Sequence, residues 1–311
     1  MTTTHSSKIR IARLSRLTLT FTIAVILLGA LVRATGSGAG CGRSWPSCQG
    51  EILPARLEGA TLIEFTHRAV SGIALALVFL LFVVIRRANG ARAQIRTAAA
   101  WSLVAIVGEA LIGAAIVLFE WVADDSSVAR TIAVPLHLVN TLLLLAGLTA
   151  VVALVDGRRL VWPAGRLRQV VAGGLGALLA VAATGAVAAL ADTLYPADSL
   201  AEGVAADLSG TSAMLTRLRV IHPIVAVATG LLLVWLVSRP RAVRRFRDSA
   251  AARAVVWLVV LQVAVGALNV VLLVPIWTQL VHLLLADLLW ISFVWFSLEA
   301  LTAHNSAVSA S

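Results

Sequence analysis

The sequence predicts an all-α integral membrane protein: eight transmembrane helices forming two parallel four-helix-bundle repeats, with both termini cytoplasmic. Three observations predict this. First, 60% of the 311 residues are hydrophobic and the mean hydropathy is +0.95, more apolar surface than a soluble domain of this length can hide. Second, eight apolar runs reach the length needed to cross hydrocarbon, about 20 helical residues. They lie near 17–34, 61–85, 97–119, 131–155, 168–190, 216–238, 252–273 and 278–300. Lipid offers no hydrogen bonds, so each run must satisfy its own backbone as a helix. Third, positive charge recurs in alternate connections.

Of the 25 Lys and Arg, 18 fall in four clusters. These are Lys8, Arg10, Arg13 and Arg16; Arg86, Arg87, Arg92 and Arg96; Arg158, Arg159, Arg166 and Arg168; and Arg239, Arg241, Arg244, Arg245, Arg247 and Arg253. The intervening connections hold most of the acids, including Asp124, Asp125, Asp192, Asp198, Glu202 and Asp207. Basic loops stay on the cytoplasmic side, which places both termini there. The net charge of +10 is therefore a topology signal and not the footprint of nucleic-acid binding.

The first apolar run follows a basic start, as in a signal peptide. Arg33 stands where small cleavage-site residues are expected, and the run has a counterpart in the second half, so a retained helix is predicted.

Dividing the chain near residue 160 gives units 1–160 and 161–311 with one plan. Gly29-Ala30-Leu31-Val32 in helix 1 matches Gly185-Ala186-Val187-Ala188 in helix 5 at an offset of 156. His67 matches His222 at 155, and His137 matches His282 at 145. Between them, Glu109-x-x-x-Gly113-Ala114 matches Gln262-x-x-x-Gly266-Ala267 at 153. Four helices per unit bring both units in from the same side, as parallel repeats. The outer connections 35–60 and 191–215 are long and 120–130 and 274–277 are short, so each long loop covers the site of its own unit.

His67, His137, His222 and His282 sit at one depth in helices 2, 4, 6 and 8, four to six residues past the start of each run. An intramembrane ionisable side chain is a functional-site hypothesis by default. Two facing histidines on separate helices of a bundle are the ligand set of a bis-imidazole haem; interhelical hydrogen bonding is the plainer alternative.

Glu64 breaks the symmetry. It lies three residues before His67, on the same helical face, whereas the matching residue before His222 is Arg219. Pairing with Arg68 four residues on is its structural alternative. Arg33, Arg68, Arg130, Arg217 and Arg219 cluster at outer helix ends, as haem propionate partners or as snorkelling anchors. Glu109, Gln262, Asn140, Asn269 and Asp287 read as helix–helix contacts.

The two cysteines form Cys41-Gly-Arg-Ser-Trp-Pro-Ser-Cys48 in the first outer loop. On the oxidising side of a membrane this pair reads as a disulfide, either a staple or a redox element.

Taken together, Cys41-x6-Cys48, Glu64-Phe-Thr-His67-Arg68, His137, His222 and His282 resemble the haem A synthase family over the whole transmembrane chain. The resemblance implies a water-dependent oxidation of a methyl group of haem O to a formyl group, through hydroxymethyl intermediates, giving haem A for cytochrome oxidase. It places substrate haem O between His67 and His137 and a haem b cofactor, with its iron, between His222 and His282. Glu64 would be catalytic, and the cysteine pair would pass reducing equivalents or guard the site. It further implies a bacterial plasma membrane and its lipid as the setting. Haem O synthase (a farnesyltransferase) and cytochrome oxidase assembly factors are then the expected partners, and homo-oligomerisation stays open. A membrane cytochrome b taking electrons from quinol is the alternative, and a haem-transport protein a third reading.

Overall fold

The computed structural model describes residues 2–88, 91–155, 159–161, 165–211, 213–238, 243 and 246–308. Arg158, Arg239, Arg241, Arg244 and Arg245 of the basic clusters lie outside them. The described residues form helices α1 (Thr2–Ala34), α2 (Gly59–Arg87), α3 (Ala93–Leu118), α4 (Val128–Leu154), α5 (Gly165–Leu194), α6 (Leu200–Leu208), α7 (Met214–Arg219), α8 (Ile221–Ser238), α9 (Ala250–Val271) and α10 (Ile276–Val308).

Eight spans among them are long and apolar enough to cross a membrane, α7 and α8 together making one. Even the shortest, α9 with 22 residues, reaches about 33 Å at 1.5 Å per residue, against a hydrocarbon thickness of about 30 Å. Mid-helix apolar side chains face outward: Val104, Leu111, Leu231 and Trp257 are 62–69% exposed, as lipid-facing residues are.

The eight predicted runs are all found, with different ends. α1 is helical from Thr2, through the basic stretch expected to precede it. α2, α4 and α10 begin two or three residues before their apolar runs, at Gly59, Val128 and Ile276. At α4 the reason is a cap: Ser127 Oγ accepts from the Arg130 N–H at 3.2 Å, satisfying an otherwise unpaired first-turn donor. Loop 191–215 is not plain loop, since α5 runs on to Leu194 and α6 follows. Ser199 caps α6 by accepting from the Glu202 N–H at 3.2 Å, and Glu202 accepts in return from the Asp198 N–H at 3.1 Å, a capping box shifted by one residue. The sixth span breaks at Val220, between α7 and α8. Pro223 has no N–H and stands in the first turn of α8, where that donor has no helical partner to lose.

In packing order, α1 lies against α2, α2 against α3, α3 against α4, and α4 back against α1. α5, α8, α9 and α10 close in the same way. α4 and α1 then meet α5 and α10 across the centre. One core cluster joins Val78, Leu81, Ile85, Ala99, Leu148 and Val151. The other gathers Leu233, Val237, Val255, Trp290, Phe293 and Phe296 together with Leu142 and Leu145 of α4. In α2, α4, α8 and α10 these residues follow the histidines, so the tight packing lies at the opposite end from them.

α3 and α9 end alike. The N–H groups of Phe119, Glu120 and Trp121 donate to Ala115, Val117 and Ile116 carbonyls, and those of Leu272, Leu273 and Val274 donate to Leu268, Val270 and Asn269. Glu120 and Leu273 both have φ of 59°, a left-handed conformation that costs a non-glycine residue about 1 kcal/mol. The same strained cap thus occurs at both sites.

Gly174 of α5 seats Phe293 of α10, and a Cβ there would stand 2.1 Å from the ring. Small residues permit this approach of packed membrane helices. Gly174→Ala is expected to destabilise the protein by about 1–3 kcal/mol through overpacking, read as a lower thermal midpoint in detergent. An unchanged midpoint contradicts this account of the contact.

Candidate functional site

His67 in α2 and His137 in α4 lie eight and nine residues past the first residue of their spans. His222 and His282 lie eight and six residues past theirs. All four are half-buried, and each ring packs on a glycine of a neighbouring helix. A Cβ on Gly29 would come 2.9 Å from the His67 ring, one on Gly185 2.9 Å from His222, one on Gly266 3.0 Å from His282, and one on Gly113 3.7 Å from His137. These glycines are the ones matched between the halves in the sequence.

The His222 and His282 rings stand 6.4 Å apart between centroids, with their planes at 89°. Two imidazoles that held one metal ion between them, each bonded at about 2 Å, would stand about 6 Å apart between centroids. Nδ1 of His67, His137 and His282 is buried with no hydrogen-bond partner among the described residues. His222 Nδ1 has the Thr184 hydroxyl at 3.3 Å. The separation of His222 and His282, with each of the four rings seated on a glycine, fits histidine pairs that would hold a haem iron.

Beyond the rings, the long connections after α1 and α5 are latched to the residue three before each first histidine. Glu64 is only 3% exposed. It accepts from the Cys41 N–H at 2.7 Å and from Arg68 Nε at 3.1 Å, with Arg68 Nη2 on the same oxygen. Arg68 Nη1 donates to the carbonyls of Ser44 and Ser47. Cys41 and Cys48 form a disulfide and are buried, at 0% and 1% exposed. The ring they close therefore sits on the Glu64–Arg68 pair. In the other half Arg219 donates to Asp192 at 2.9 Å and to Asp207 of α6 at 2.5 and 2.9 Å. The polarity is reversed but the latch is similar.

Arg33 and Arg130 hold protein groups. Arg33 reaches from α1 to the Ala189 carbonyl at 2.6 Å, Thr193 Oγ1 at 2.7 Å and Gln279 Oε1 at 2.7 Å, tying the two groups of helices together. Arg130 is 5% exposed and donates to the carbonyls of Ala123 and Asp125 at 2.6 and 2.7 Å. Arg217 is exposed.

Asn140 and Asn269 make the expected contacts between helices, to the Ala105 carbonyl at 2.8 Å and to Thr278 Oγ1 at 2.5 Å. Asp287 does not: it is fully buried, and neither oxygen finds a partner among the described residues. Glu109 and Gln262, given no role by the sequence, stand beside ring nitrogens of His137 and His282, at 3.3 and 3.1 Å. The Glu109 contact is at ion-pair range but off the hydrogen-bond line, so His137 Nδ1 still counts as unsatisfied. Their matched place in the two halves was the available signal.

Fold and site define a multi-pass helical membrane protein with one glycine-seated histidine in each of four spans. The chain belongs to the COX15-CtaA family of cytochrome oxidase assembly proteins, whose model matches residues 12–294, as the sequence motifs imply. A Thermus thermophilus protein named protoheme IX farnesyltransferase is 42% identical over 290 residues, 91% of this chain and 47% of that protein. A Bacillus mycoides heme A synthase is 45% identical over 97 residues, 31% of each chain. One from Bacillus cereus is 46% identical over 95 residues, 30% of each. The chain thus spans about half the length of the Thermus relative.

Proposed function

We propose that this protein is a haem A synthase of a bacterial plasma membrane, oxidising a methyl group of haem O to a formyl group. The observation that carries the reading is the set of four glycine-seated histidines, two in each ring of four helices. Units 1–160 and 161–311 are parallel repeats. The matched glycines and histidines and the shared caps of α3 and α9 support this. Termini and basic clusters face the cytoplasm, and the histidine ends and the disulfide face outward.

In this reading His67 and His137 hold the substrate haem O, and His222 and His282 hold haem b. Bound haem b supplies an iron centre that carries one electron at a time. Methyl to formyl consumes one water and releases four electrons and four protons, in two two-electron stages. His67 and His137 orient the substrate ring through its iron. The loop closed by Cys41 and Cys48 excludes bulk water from the outer end of this unit. Glu64 already accepts from Arg68 and the Cys41 N–H. Proton acceptance requires exchanging one of these bonds, whereas acting as a fixed negative charge does not, so we assign it electrostatic stabilisation. The propionates of either haem would have to share Arg33, Arg68, Arg130 or Arg219 with the groups these now hold; Arg217 is the exposed one.

The Thermus relative is named as a protoheme IX farnesyltransferase, and it matches this chain across 47% of its own length. A membrane farnesyltransferase is accordingly the proposed partner that supplies substrate. The test is expression in a host that makes haem O. Wild type is expected to yield haem A, and Glu64→Gln to keep bound haem while haem O accumulates. Normal haem A yield from Glu64→Gln removes Glu64 from the mechanism, and no haem A from wild type removes the reading.

A further inference from the structure

The four histidines differ in what stands behind them. A metal-bound imidazole usually donates its second N–H to a neighbouring group, and a carboxylate there raises its basicity as a ligand. Glu109 Oε1 stands 3.3 Å from His137 Nδ1. The turn of α4 that follows His137 aims that carboxylate: Thr141 Oγ1 donates to Oε1 and Asn140 Nδ2 to Oε2. At His282 the equivalent residue is Gln262, whose neutral amide meets the other ring nitrogen, Nε2, at 3.1 Å, and Nδ1 has no carboxylate or other partner among the described residues. The offset of 145 that relates His137 to His282 also relates Asn140 to Leu285 and Thr141 to Ala286. The carboxylate and both its donors are therefore present together at one histidine and absent together at the other. Glu64, the asymmetry evident in sequence, is turned instead to Arg68 and Cys41.

We infer that Glu109 is a positioning residue that strengthens His137 as an electron donor to iron, while neutral Gln262 leaves His282 weaker, so that the two haem sites differ in reduction potential. This rests on the histidine-pair reading above. Glu109 acts through His137. A more basic ligand favours ferric iron, so the site of His67 and His137 has the lower potential. Electrons leaving it then run downhill to the site of His222 and His282.

The experiment is a potentiometric titration with low-temperature EPR on purified protein carrying haem at both sites. Glu109→Gln is expected to raise the midpoint of one haem and move its g-values, leaving the other in place. A tenfold change in the ratio of ferric to ferrous binding corresponds to about 59 mV for one electron. Thr141→Val, which loosens the carboxylate without removing it, should shift the same haem less. Gln262→Glu should lower the midpoint of the other. Unmoved midpoints and g-values in Glu109→Gln and Gln262→Glu, with both haems bound, overturn the inference alone. His137→Ala that keeps both haems with unchanged spectra overturns the ligand reading beneath it.

Discussion

Alanine at His222 or His282 is expected to remove one of two bound haems and abolish methyl oxidation, while the eight spans stay folded. The fold does not depend on these rings, because the tight packing lies toward the other end of α8 and α10, around Leu233, Val237, Phe293 and Phe296. Each ring instead rests on a glycine, Gly185 or Gly266, and truncating it removes a ligand and little else. His67→Ala and His137→Ala are expected to spare haem b and lose the substrate haem. Absorption spectra and haem content per polypeptide measure both effects. Full haem content in His222→Ala or His282→Ala contradicts the assignment.

The second large effect is expected at Arg68. Its guanidinium holds the Glu64 carboxylate and the Ser44 and Ser47 carbonyls at once. Arg68→Ala leaves Glu64, 3% exposed, as a buried charge without its counter-ion, at a cost of about 3–5 kcal/mol. By comparison, opening the Cys41–Cys48 ring by serine substitution is expected to cost about 2–3 kcal/mol in the chain-entropy account. Replacing Glu64 and Arg68 together by leucine and methionine should recover part of the Arg68→Ala loss, since no lone charge remains. Thermal midpoints and protease cleavage of the 41–48 loop read the order. Equal stability of Arg68→Ala and the double variant contradicts a buried, coupled pair.

The spans were legible in the sequence because lipid imposes length and apolarity on each element separately. Their ends were less so. α1 extends back through Lys8 and Arg10, which are poor membrane residues but good helix formers. α6 carries no apolar run, although Ser199 and Glu202 announced its cap. The break at Val220 precedes Pro223, but Pro135 lies within an unbroken α4, so proline alone did not announce it.

At the site, spacing singled out the four histidines and the matched glycines, which pack together, and the cysteine pair, which is bonded. Spacing could not show that Glu64 faces Arg68 and the Cys41 N–H instead of His67, because residues three and four apart share a helical face and only packing selects the partner. For the same reason Glu109 read as a contact between helices. It is one, through Asn140 and Thr141, and it also reaches His137. Arg33 read as a propionate partner or a snorkelling anchor, yet it bridges α1 to Ala189 and Gln279, a link between elements far apart in sequence.

A membrane cytochrome b that passes electrons from quinol would use the same histidines but would change neither haem. Extraction and mass analysis of the pigments in purified protein, from cells making haem O, separate the two most directly. This account predicts haem B together with haem O, a hydroxylated haem or haem A. Haem B alone, at both sites, would contradict it.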